Sequence, residues 1–416
     1  MRKKNIILGI DGVPFELIDN LSNKGIMPNF KDLKQECYFK LMKSSIPHIS
    51  SVSWSSIITG KNPGEHGIYG FTDIIDNTYS MRFPNFNALK SKPFWHKEPN
   101  KKHIIINVPS TYPVKELNGV HIAGFVALDF QKAVFPKELI PKLREIKYEI
   151  DVDSKLAKQQ SKDIFLQELF RILKIRKKTF DFLWNKFKWN NFFAVITGTD
   201  RLGHFLWHIY EDNKNKYHNT FIEYFQKIDN IIGDIRYKLK EDDTFLILSD
   251  HGMEQIKQNV YLNTYLEQNK YLNLSDNFKK YNRITKKSKA FILDPGRVYL
   301  NRAGRYPNGI VRKEDEKEVI EELKKLFYDL KFNNQKVIKK VHEKQEIYYG
   351  KMIKNAPDLV LIENEGFNLK GTIGKASLFE EEKLFSGMHN ESAFLLVNKE
   401  IDMSEPKVED IVALLG

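Results

Sequence analysis

The stretch "FLILSDHGM", residues 245–253, joins an apolar run to a polar turn. Four consecutive apolar residues, Phe245–Leu248, lead directly into Ser249, Asp250 and His251. A short apolar run without polar interruption is typical of a strand that is buried on both faces of a sheet. The polar residues that follow it are therefore expected at the edge of such a sheet, where ligands bind in open α/β folds.

Similar apolar runs recur along the chain and alternate with segments of helical periodicity. The clearest helical segments are Tyr217–Leu239 and Glu314–Leu330. The alternation predicts an α/β fold, with a mostly parallel central sheet sandwiched by helices and with inserted cap segments. The apolar runs are Ile6–Ile10, His103–Asn107, Phe192–Ile196, Phe245–Leu248, Val298–Leu300, Leu359–Ile362 and Ala393–Val397.

The length of the chain, 416 residues, exceeds what one hydrophobic core usually supports. We predict that residues 1–260 form the first part of a catalytic α/β core, with a loop excursion near residues 75–100. Residues 261–385 are more polar and irregular, and we predict a cap or insertion with some strands that return to the core. Residues 386–416 then complete the core.

The composition excludes several classes of protein. Apolar residues make up 41% of the chain, which is typical of a folded protein, and no stretch approaches the 18 apolar residues of a membrane span. The single cysteine, Cys37, favours a reducing, cytoplasmic location. The net charge of +12 comes from lysines spread along the whole chain. This spread indicates a solvated surface, and an anionic partner or nucleic acid is left open without being indicated.

Three of the apolar runs are followed closely by an aspartate, at Asp11, Asp200 and Asp250. Each of them alone is explained by ordinary turn or N-cap chemistry. Because the carboxyl ends of parallel strands meet at one edge, the three together predict a cluster of carboxylates there.

Histidines accompany these aspartates. His204 follows Asp200 by four residues, which is one helical turn, and His251 is adjacent to Asp250. His389 lies just before a predicted strand. His208, one turn beyond His204, is either a further ligand or a surface residue. Carboxylates and imidazoles without thiolates suit zinc or manganese, and this set predicts two divalent ions, a common arrangement for phosphoryl transfer.

A serine-rich stretch, residues 44–68, offers a nucleophile. A short helix over Ser53–Thr59, ending at Gly60, would place Ser50 or Ser51 near its N-terminus. Backbone N–H groups and the helix dipole favour negative charge at such a position. Serine is equally an ordinary N-cap residue, so both roles stay open from this stretch alone.

Taken in order, these motifs resemble the alkaline phosphatase superfamily over essentially the whole chain. The resemblance is closest to the branch that contains type I phosphodiesterases/nucleotide pyrophosphatases and predicted phosphohydrolases and phosphomutases. The segments that carry it are "GIDG", "TGKNPGEHGI", "NVPSTYP", "TDRLGHFLW", "SDHGM", "GRYPNGIV", "APDLV" and "SGMHNESAFLLV".

The resemblance implies a role for each of the polar residues singled out above. Ser50 is implied as the nucleophile, with Ser51 as the fallback, and His66 of "HGI" as structural. The implied ligands of one ion are Asp11, Ser50, Asp250 and His251. Those of the other ion are Asp200, His204 and His389.

One position departs from the pattern. Nucleotide pyrophosphatases resemble "HGI-x-x-N", whereas Phe71 stands here at the place of the asparagine. Phe71 cannot donate a hydrogen bond to the substrate, so Lys61 or the backbone N–H of Ser51 is the candidate replacement. The implied activity is phosphodiester cleavage of an anionic, nucleotide-like substrate through a phosphoseryl intermediate. A phosphomutase of the same superfamily is the alternative, and a non-catalytic metal- or nucleic-acid-binding scaffold is a third reading.

Overall fold

The computed structural model describes residues 3–159, 161–276 and 279–415. Its strands are β1 (Asn5–Ile10), β2 (Tyr38–Lys43), β3 (Asp73–Ile74), β4 (Met81–Arg82), β5 (His103–Val108), β6 (Gly119–Ala123), β7 (Val134–Phe135), β8 (Asn191–Ile196), β9 (Thr244–Leu248), β10 (Gly252–Gln255), β11 (Gln258–Tyr261), β12 (Ala290–Leu293), β13 (Arg297–Leu300), β14 (Lys331–Phe332), β15 (Gln335–Lys336), β16 (Ile338–Glu343), β17 (Leu359–Glu363), β18 (Phe367–Lys370), β19 (Phe379–Glu380), β20 (Gly387–Asn390) and β21 (Ser392–Val397).

The α-helices are α1 (Phe15–Asn23), α2 (Pro28–Glu36), α3 (Ser50–Thr59), α4 (Pro63–His66), α5 (Phe94–Lys97), α6 (Ile140–Glu145), α7 (Ser154–Gln159), α8 (Lys162–Lys186), α9 (Gly198–Glu211), α10 (His218–Lys238), α11 (Leu262–Gln268), α12 (Glu316–Tyr328) and α13 (Lys344–Ile347). Short 3-10 helices lie at Phe86–Ala88, Phe130–Ala133, Lys137–Leu139, Lys280–Arg283, Lys313–Asp315, Ile353–Asn355 and Val408–Leu414.

The chain divides into two compact units. The first comprises residues 1–61, 85–254 and 384–416, and the second comprises residues 62–84 and 255–383. Each unit therefore contains segments that are distant in sequence. The predicted cap role of residues 261–385 stays a prediction.

The first unit is built on an eight-stranded sheet in the order β2-β21-β9-β1-β8-β5-β6-β7. The five strands β9, β1, β8, β5 and β6 are mutually parallel, whereas β21 and β7 run antiparallel to their neighbours. This confirms the predicted α/β fold with a mostly parallel central sheet. All six residues of β1 and of β8 are buried, in agreement with strands that are covered on both faces.

Alternate residues of these strands pack on opposite faces, as the period of a strand requires. Ile6, Leu8 and Ile10 of β1 belong to one hydrophobic cluster, together with residues from α1, α2, α8, α9 and α10. Ile7 belongs to a second cluster, on the side of α3 and α5, which includes Trp54. Gly9 points the same way as Ile7, and a Cβ there would lie 2.4 Å from the indole of Trp54. A larger side chain at this position would displace the indole.

The second unit contains two larger sheets beside the two-stranded sheets β3-β4 and β14-β15. One is antiparallel, in the order β12-β13-β17-β16, and the other has the order β18-β11-β19. Each of the seven apolar runs predicted from the sequence forms a strand, but Val298–Leu300 and Leu359–Ile362 lie in the antiparallel sheet of this unit. An apolar run indicates that a strand is buried, but it does not indicate which sheet the strand joins. None of the helices within the described residues is both long and apolar enough to cross a lipid bilayer.

The second unit contains a buried carboxylate, that of Asp358, which is paired with two cations. Asp358 is 1% exposed and accepts hydrogen bonds from Arg302 at 2.6 and 2.7 Å, from Lys344 at 2.8 Å and from the backbone of Leu300 at 2.9 Å. Burial alone would raise the pKa of Asp358, but the hydrogen bonds and charges of Arg302 and Lys344 outweigh it and hold the pKa below its ordinary value. The carboxylate is therefore ionised and balanced by both cations.

We predict that Asp358→Asn lowers the free energy of unfolding by about 3 kcal/mol, because it removes the buried counter-charge of Lys344 and leaves Arg302 with Glu316 alone. Urea unfolding at neutral pH measures this. Since the pKa of Asp358 is depressed in the folded state, its contribution is present above the unfolded-state pKa and is lost as the pH falls through the folded-state pKa. The difference in free energy of unfolding between the variant and the wild type should therefore become smaller as the pH is lowered.

Asp276→Asn is the matched control. The side chain of Asp276 is 99% exposed and pairs with Arg283 at 3.0 Å. Such surface pairs contribute less than about 1 kcal/mol. Equal destabilisation by the two substitutions would show that burial of the Asp358 pair has no special weight.

Candidate metal centre and nucleophile

Five chain segments of the first unit bring the predicted site residues to the carboxyl edge of the sheet. Asp11 directly follows β1, Asp200 lies in the first turn of α9 after β8, and Asp250 follows β9. Strands β9, β1 and β8 are adjacent and in register, with Gly9 opposite Leu248 and Ile10 opposite Ile196. The three carboxylates therefore meet at one place.

His389 and Ser50 reach the same edge by a different route. Strand β21 is antiparallel to β9, so the chain just before it, which carries His389, lies at the carboxyl end of β9. Strand β2 is antiparallel to β21 and thus runs in the same direction as β9, with Lys43 opposite Ser392. The segment after β2 consequently leads to Ser50 at this edge.

Ser50 is the first residue of α3, and its side chain does not act as a helix cap. The N-cap position is Ile49, which makes no side-chain capping bond. The Ser50 hydroxyl lies instead 2.9 Å from His251 Nε2, and Ser50 is 6% exposed. Of the two roles left open by the sequence, the geometry favours the functional one.

In each of the three carboxylates, one oxygen is held by a donor. Asp11 Oδ2 accepts from Trp54 Nε1 at 3.0 Å, and Asp250 Oδ1 accepts from the backbone N–H of Gly12 at 3.2 Å. Asp200 Oδ2 lies 3.3 Å from Arg201 Nη1. Asp11 Oδ1 and Asp250 Oδ2 are buried and have no hydrogen-bond partner in the described part of the chain. Each carboxylate thus has one tethered oxygen and one oxygen left for a ligand.

The three imidazoles follow the same pattern. Nδ1 of His204, of His251 and of His389 lies 2.9 to 3.0 Å from the backbone carbonyl of Gly387, Gly252 and His48, respectively. A carbonyl can only accept, so each Nδ1 is the donor and each Nε2 carries the free lone pair. This is the arrangement in which histidine binds metals, with the other ring nitrogen fixed by a hydrogen bond.

The free atoms of these side chains converge. His204 Nε2 lies 2.8 Å from His389 Nε2, and both lie within 3.3 Å of Asp200 Oδ1. His251 Nε2 lies 3.2 Å from Asp250 Oδ2 and 3.8 Å from Asp11 Oδ1. Electron-rich atoms at such distances repel one another unless a cation or a proton lies among them.

Burial makes this concentration of negative charge costly. Burial, together with the charge of Asp200 and against the Gly12 hydrogen bond, raises the pKa of Asp250 to about 8. Burial, followed by the charges of Asp250 and Asp200, also raises the pKa of Asp11 well above its ordinary value. Buried carboxylates without a hydrogen-bonded counter-charge are usually metal ligands. The unpartnered oxygens, the bare Nε2 atoms and the donor set therefore all fit divalent cations.

Gly12 explains the glycine of "GIDG". Its φ of +68° is a backbone conformation that other residues rarely adopt, and a Cβ there would lie 3.0 Å from Asp200 Oδ1. Only glycine lets the chain turn between two carboxylates and direct its N–H to Asp250.

The remaining candidates lie elsewhere. Lys61 follows Gly60 at the opposite end of α3, and the helix separates it from Ser50 by roughly 14 Å. Ser51 is the second residue of α3, so its N–H lies in the first turn beside Ser50. This separation favours the Ser51 backbone over Lys61 as the replacement donor. Phe71 belongs to the second unit, as does His66.

His66 and His208 have local partners. His66 is fully buried, accepts a hydrogen bond from the Ile68 N–H at 3.1 Å and has its pKa lowered to about 3 by burial. This supports the structural role implied for it. His208 Nε2 lies 2.9 Å from Lys162 Nζ, away from the converging atoms of the site.

Sequence reasoning missed the residues that hold the ligands in place. Trp54 lies one helical turn after Ser50, and this spacing could have indicated that it faces the site. Arg201 stands inside the quoted "TDRLGHFLW" segment but received no role. The carbonyls of His48, Gly252 and Gly387 carry no signal in a sequence.

The chain is similar to known proteins over most of its length. The family model of type I phosphodiesterase / nucleotide pyrophosphatase matches residues 5–391. A comparison with curated protein sequences gave no match.

Solved structures with similar folds cover nearly the whole chain. Phosphonoacetate hydrolase from Sinorhizobium meliloti 1021 in complex with phosphonoacetate has a TM-score of 0.67 at 13% identity, over 100% of this chain and 95% of that one. Murine ectonucleotide pyrophosphatase / phosphodiesterase 5, in an inactive form in complex with AMP, has a TM-score of 0.58 at 14% identity, over 100% and 94% of the two chains. At this identity the likeness shows the fold.

We predict that Trp54→Phe weakens metal binding about 10- to 100-fold, because it removes the N–H that orients Asp11 while keeping an aromatic ring in the core. Competition with a chromogenic chelator measures the affinity. Trp95→Phe is a close control, since Trp95 is buried in the same cluster and its Nε1 has no hydrogen-bond partner among the described residues. If both variants bind metal equally well, the indole of Trp54 does not orient a ligand.

Proposed function

Because the chain belongs to the type I phosphodiesterase / nucleotide pyrophosphatase family, we propose that it is a two-metal phosphoester hydrolase that cleaves phosphodiesters through a phosphoseryl intermediate on Ser50. One observation carries the proposal. The hydroxyl of Ser50 lies 2.9 Å from His251 Nε2, at the edge of the sheet where three carboxylates and three imidazoles each have one atom tethered and one atom left for a ligand.

The ligands divide into two sets around the serine. Asp11, Asp250 and His251, with the Ser50 oxygen, would hold one ion, and Asp200, His204 and His389 would hold the other. The atoms of Asp11, Asp250 and His251 converge in one group, and those of Asp200, His389 and again His251 converge in another. His204 joins the second group through its Nε2, which lies 2.8 Å from His389 Nε2 and 3.3 Å from Asp200 Oδ1. Divalent ions so placed lower the pKa of a serine hydroxyl and neutralise the oxygens of a phosphoester. Zinc and manganese both suit these ligands.

Ser50 acts as the nucleophile. Its Oγ forms a bond to phosphorus, the bond from phosphorus to the leaving oxygen breaks, and the departing alcohol takes up a proton. The position of Ser50 at the start of α3 favours negative charge on its oxygen and on the phosphoryl group. The N–H of Ser51 is the donor we assign to a phosphoryl oxygen in place of the asparagine that Phe71 replaces.

The covalent intermediate is resolved by water. With a diester as substrate, the phosphoryl group on Ser50 retains its second alcohol. Attack by water on phosphorus releases this as a phosphomonoester and returns the proton to Ser50. If an alcohol of the same substrate attacked instead, the enzyme would be a phosphomutase, which is the second candidate function.

A nucleotide-like diester is the substrate class that we propose. The family description names nucleotide pyrophosphatases, and a structural neighbour was solved with AMP. A cytoplasmic location remains a prediction from the single cysteine.

Substitution of Ser50 tests the reaction directly. We predict that Ser50→Ala reduces hydrolysis of bis-p-nitrophenyl phosphate by about 10³-fold or more, because the nucleophile is lost. Release of p-nitrophenol is measured with added Zn²⁺ or Mn²⁺. Parallel assays use p-nitrophenyl phosphate and phosphonoacetate.

Ser55→Ala is the control on the same helix. The Ser55 hydroxyl donates to the Ser51 carbonyl, away from the site, so activity should stay within a few-fold of the wild type. Wild-type activity in Ser50→Ala would remove Ser50 from the mechanism. Metal-loaded wild type that cleaves none of the three compounds would contradict the hydrolase and favour the mutase.

Metal removal should affect stability as well as activity. We predict that a chelator lowers the melting temperature and that Zn²⁺ or Mn²⁺ restores it. A ligand at 100 times its Kd stabilises the folded state by about 2.7 kcal/mol. Differential scanning fluorimetry measures the shift, and His204→Ala should respond less to added metal. A melting temperature that is indifferent to chelator and metal would contradict the two-metal site.

A further inference from the structure

Arg201 connects the cluster of ligands to a carboxylate outside it. Its Nε and Nη2 lie 2.9 and 2.6 Å from Asp151 Oδ2, while its Nη1 lies 3.3 Å from Asp200 Oδ2. The side chains of Arg201 and Asp151 are 15% and 12% exposed. An arginine with three donors on two carboxylates is fixed in orientation as well as in charge.

Asp151 is itself held in place by its surroundings. Its Oδ1 accepts from the Val152 N–H at 2.9 Å and faces Thr197 Oγ1 at 3.3 Å, in the residue before α9. The preceding residue, Ile150, accepts from the buried Arg176 at 2.8 Å. Asp151 is thus tied both to helix α8 and to the start of the helix that carries Asp200.

The guanidinium of Arg201 is also covered. The ring of Phe125 lies over it, with the centroid 4.3 Å from the guanidinium carbon. Burial would lower the pKa of Arg201, but the charges of Asp151 and Asp200 outweigh it and keep the group charged. Through its hydrogen bonds, the positive charge of Arg201 is paired with the carboxylates of Asp151 and Asp200.

The two carboxylate oxygens of Asp200 have different neighbours. Oδ2 faces Arg201, whereas Oδ1 faces His204 Nε2 at 3.3 Å and His389 Nε2 at 3.1 Å. Because Arg201 engages one oxygen of the carboxylate, a single oxygen is left to act as a ligand together with the two imidazoles.

We propose that Asp151 and Arg201 form a positioning pair that restricts Asp200 to binding its ion through Oδ1 alone, and so sets the affinity of the Asp200, His204 and His389 site. The inference rests on the proposed function for its metal. Neither residue touches the substrate in this role. The hydrogen bonds of the pair reach Asp200, and among the described residues they reach none of Asp11, Asp250 and His251, so the pair supports one of the two ion sites directly.

The test measures metal affinity site by site. Zn²⁺ binding to the full chain is followed by chelator competition, which resolves two steps, and His204→Ala identifies the step that belongs to the supported site. We expect Arg201→Met and Asp151→Asn to weaken this step about 10- to 100-fold and to leave the other step within a few-fold of the wild type.

Two further comparisons separate positioning from a general structural effect. Arg201→Lys keeps the positive charge but removes the planar guanidinium with its several donors. Its metal affinity should therefore lie between those of Arg201→Met and the wild type. The double variant Asp151→Asn/Arg201→Met should be no weaker than Arg201→Met alone, since Asp151 acts through Arg201. Arg171→Met is the control, because Arg171 pairs with Glu149 and Glu168 at the surface of the same unit.

The possible results are distinct. Unchanged affinity in both variants, or equal weakening of both steps, overturns the positioning role. Asp151→Asn keeps the size and most hydrogen-bonding capacity of the side chain, so it carries the test if Arg201→Met does not fold. A wild type that binds no metal would contradict the proposed function itself, and this outcome is recognised before any variant is compared.

Discussion

The mutual repulsion of three buried carboxylates is the constraint on which the rest of the site depends. Asp11, Asp200 and Asp250 lie together at 0–6% exposure, where negative charge is expensive without a cation. Burial keeps the pKa values of Asp11 and Asp250 high. The site thus contains more acceptor atoms than donors, and bound divalent ions would reduce the repulsion among these atoms.

The topology of the sheet makes this concentration possible. Three adjacent parallel strands end at one edge, and two outer strands deliver Ser50 and His389 to the same edge because β21 is reversed. The strands are buried on both faces and give the ligands a rigid base. Single donors then tether one oxygen of each carboxylate, and backbone carbonyls tether one nitrogen of each imidazole. Because the side chains are already tethered, they lose less conformational entropy when an ion binds.

The sequence predicts five of the eight strands of the central sheet, because an apolar run indicates a buried strand, whereas β2, β6 and β7 are not among the predicted runs. It also predicts that Asp11, Asp200 and Asp250 share an edge, since this follows from parallel strands alone. The sheet to which Val298–Leu300 belongs does not follow from the sequence, because pairing partners are set by long-range packing. The division into units is equally hidden, as residues 62–84 pack with a segment that is almost 200 positions away.

The tethering residues show where sequence reasoning ends. A hydrogen bond from Trp54 to Asp11 joins residues 43 positions apart, and the Asp151–Arg201 contact spans 50. Neither pair has a local pattern that signals it. Ser50 could not be separated from an ordinary helix cap by its position alone, and the distinction came from the direction of its side chain towards His251.

The proposed mechanism requires that Ser50 becomes covalently phosphorylated, and this species can be trapped. The metal-loaded protein would be mixed with bis-p-nitrophenyl phosphate, quenched in acid within the first turnovers and analysed by peptide mass spectrometry. We expect a nitrophenyl-phosphoryl adduct on Ser50 that disappears once the substrate is consumed and is absent from Ser50→Ala. Turnover of the diester without any adduct on Ser50, and undiminished in Ser50→Ala, would contradict it.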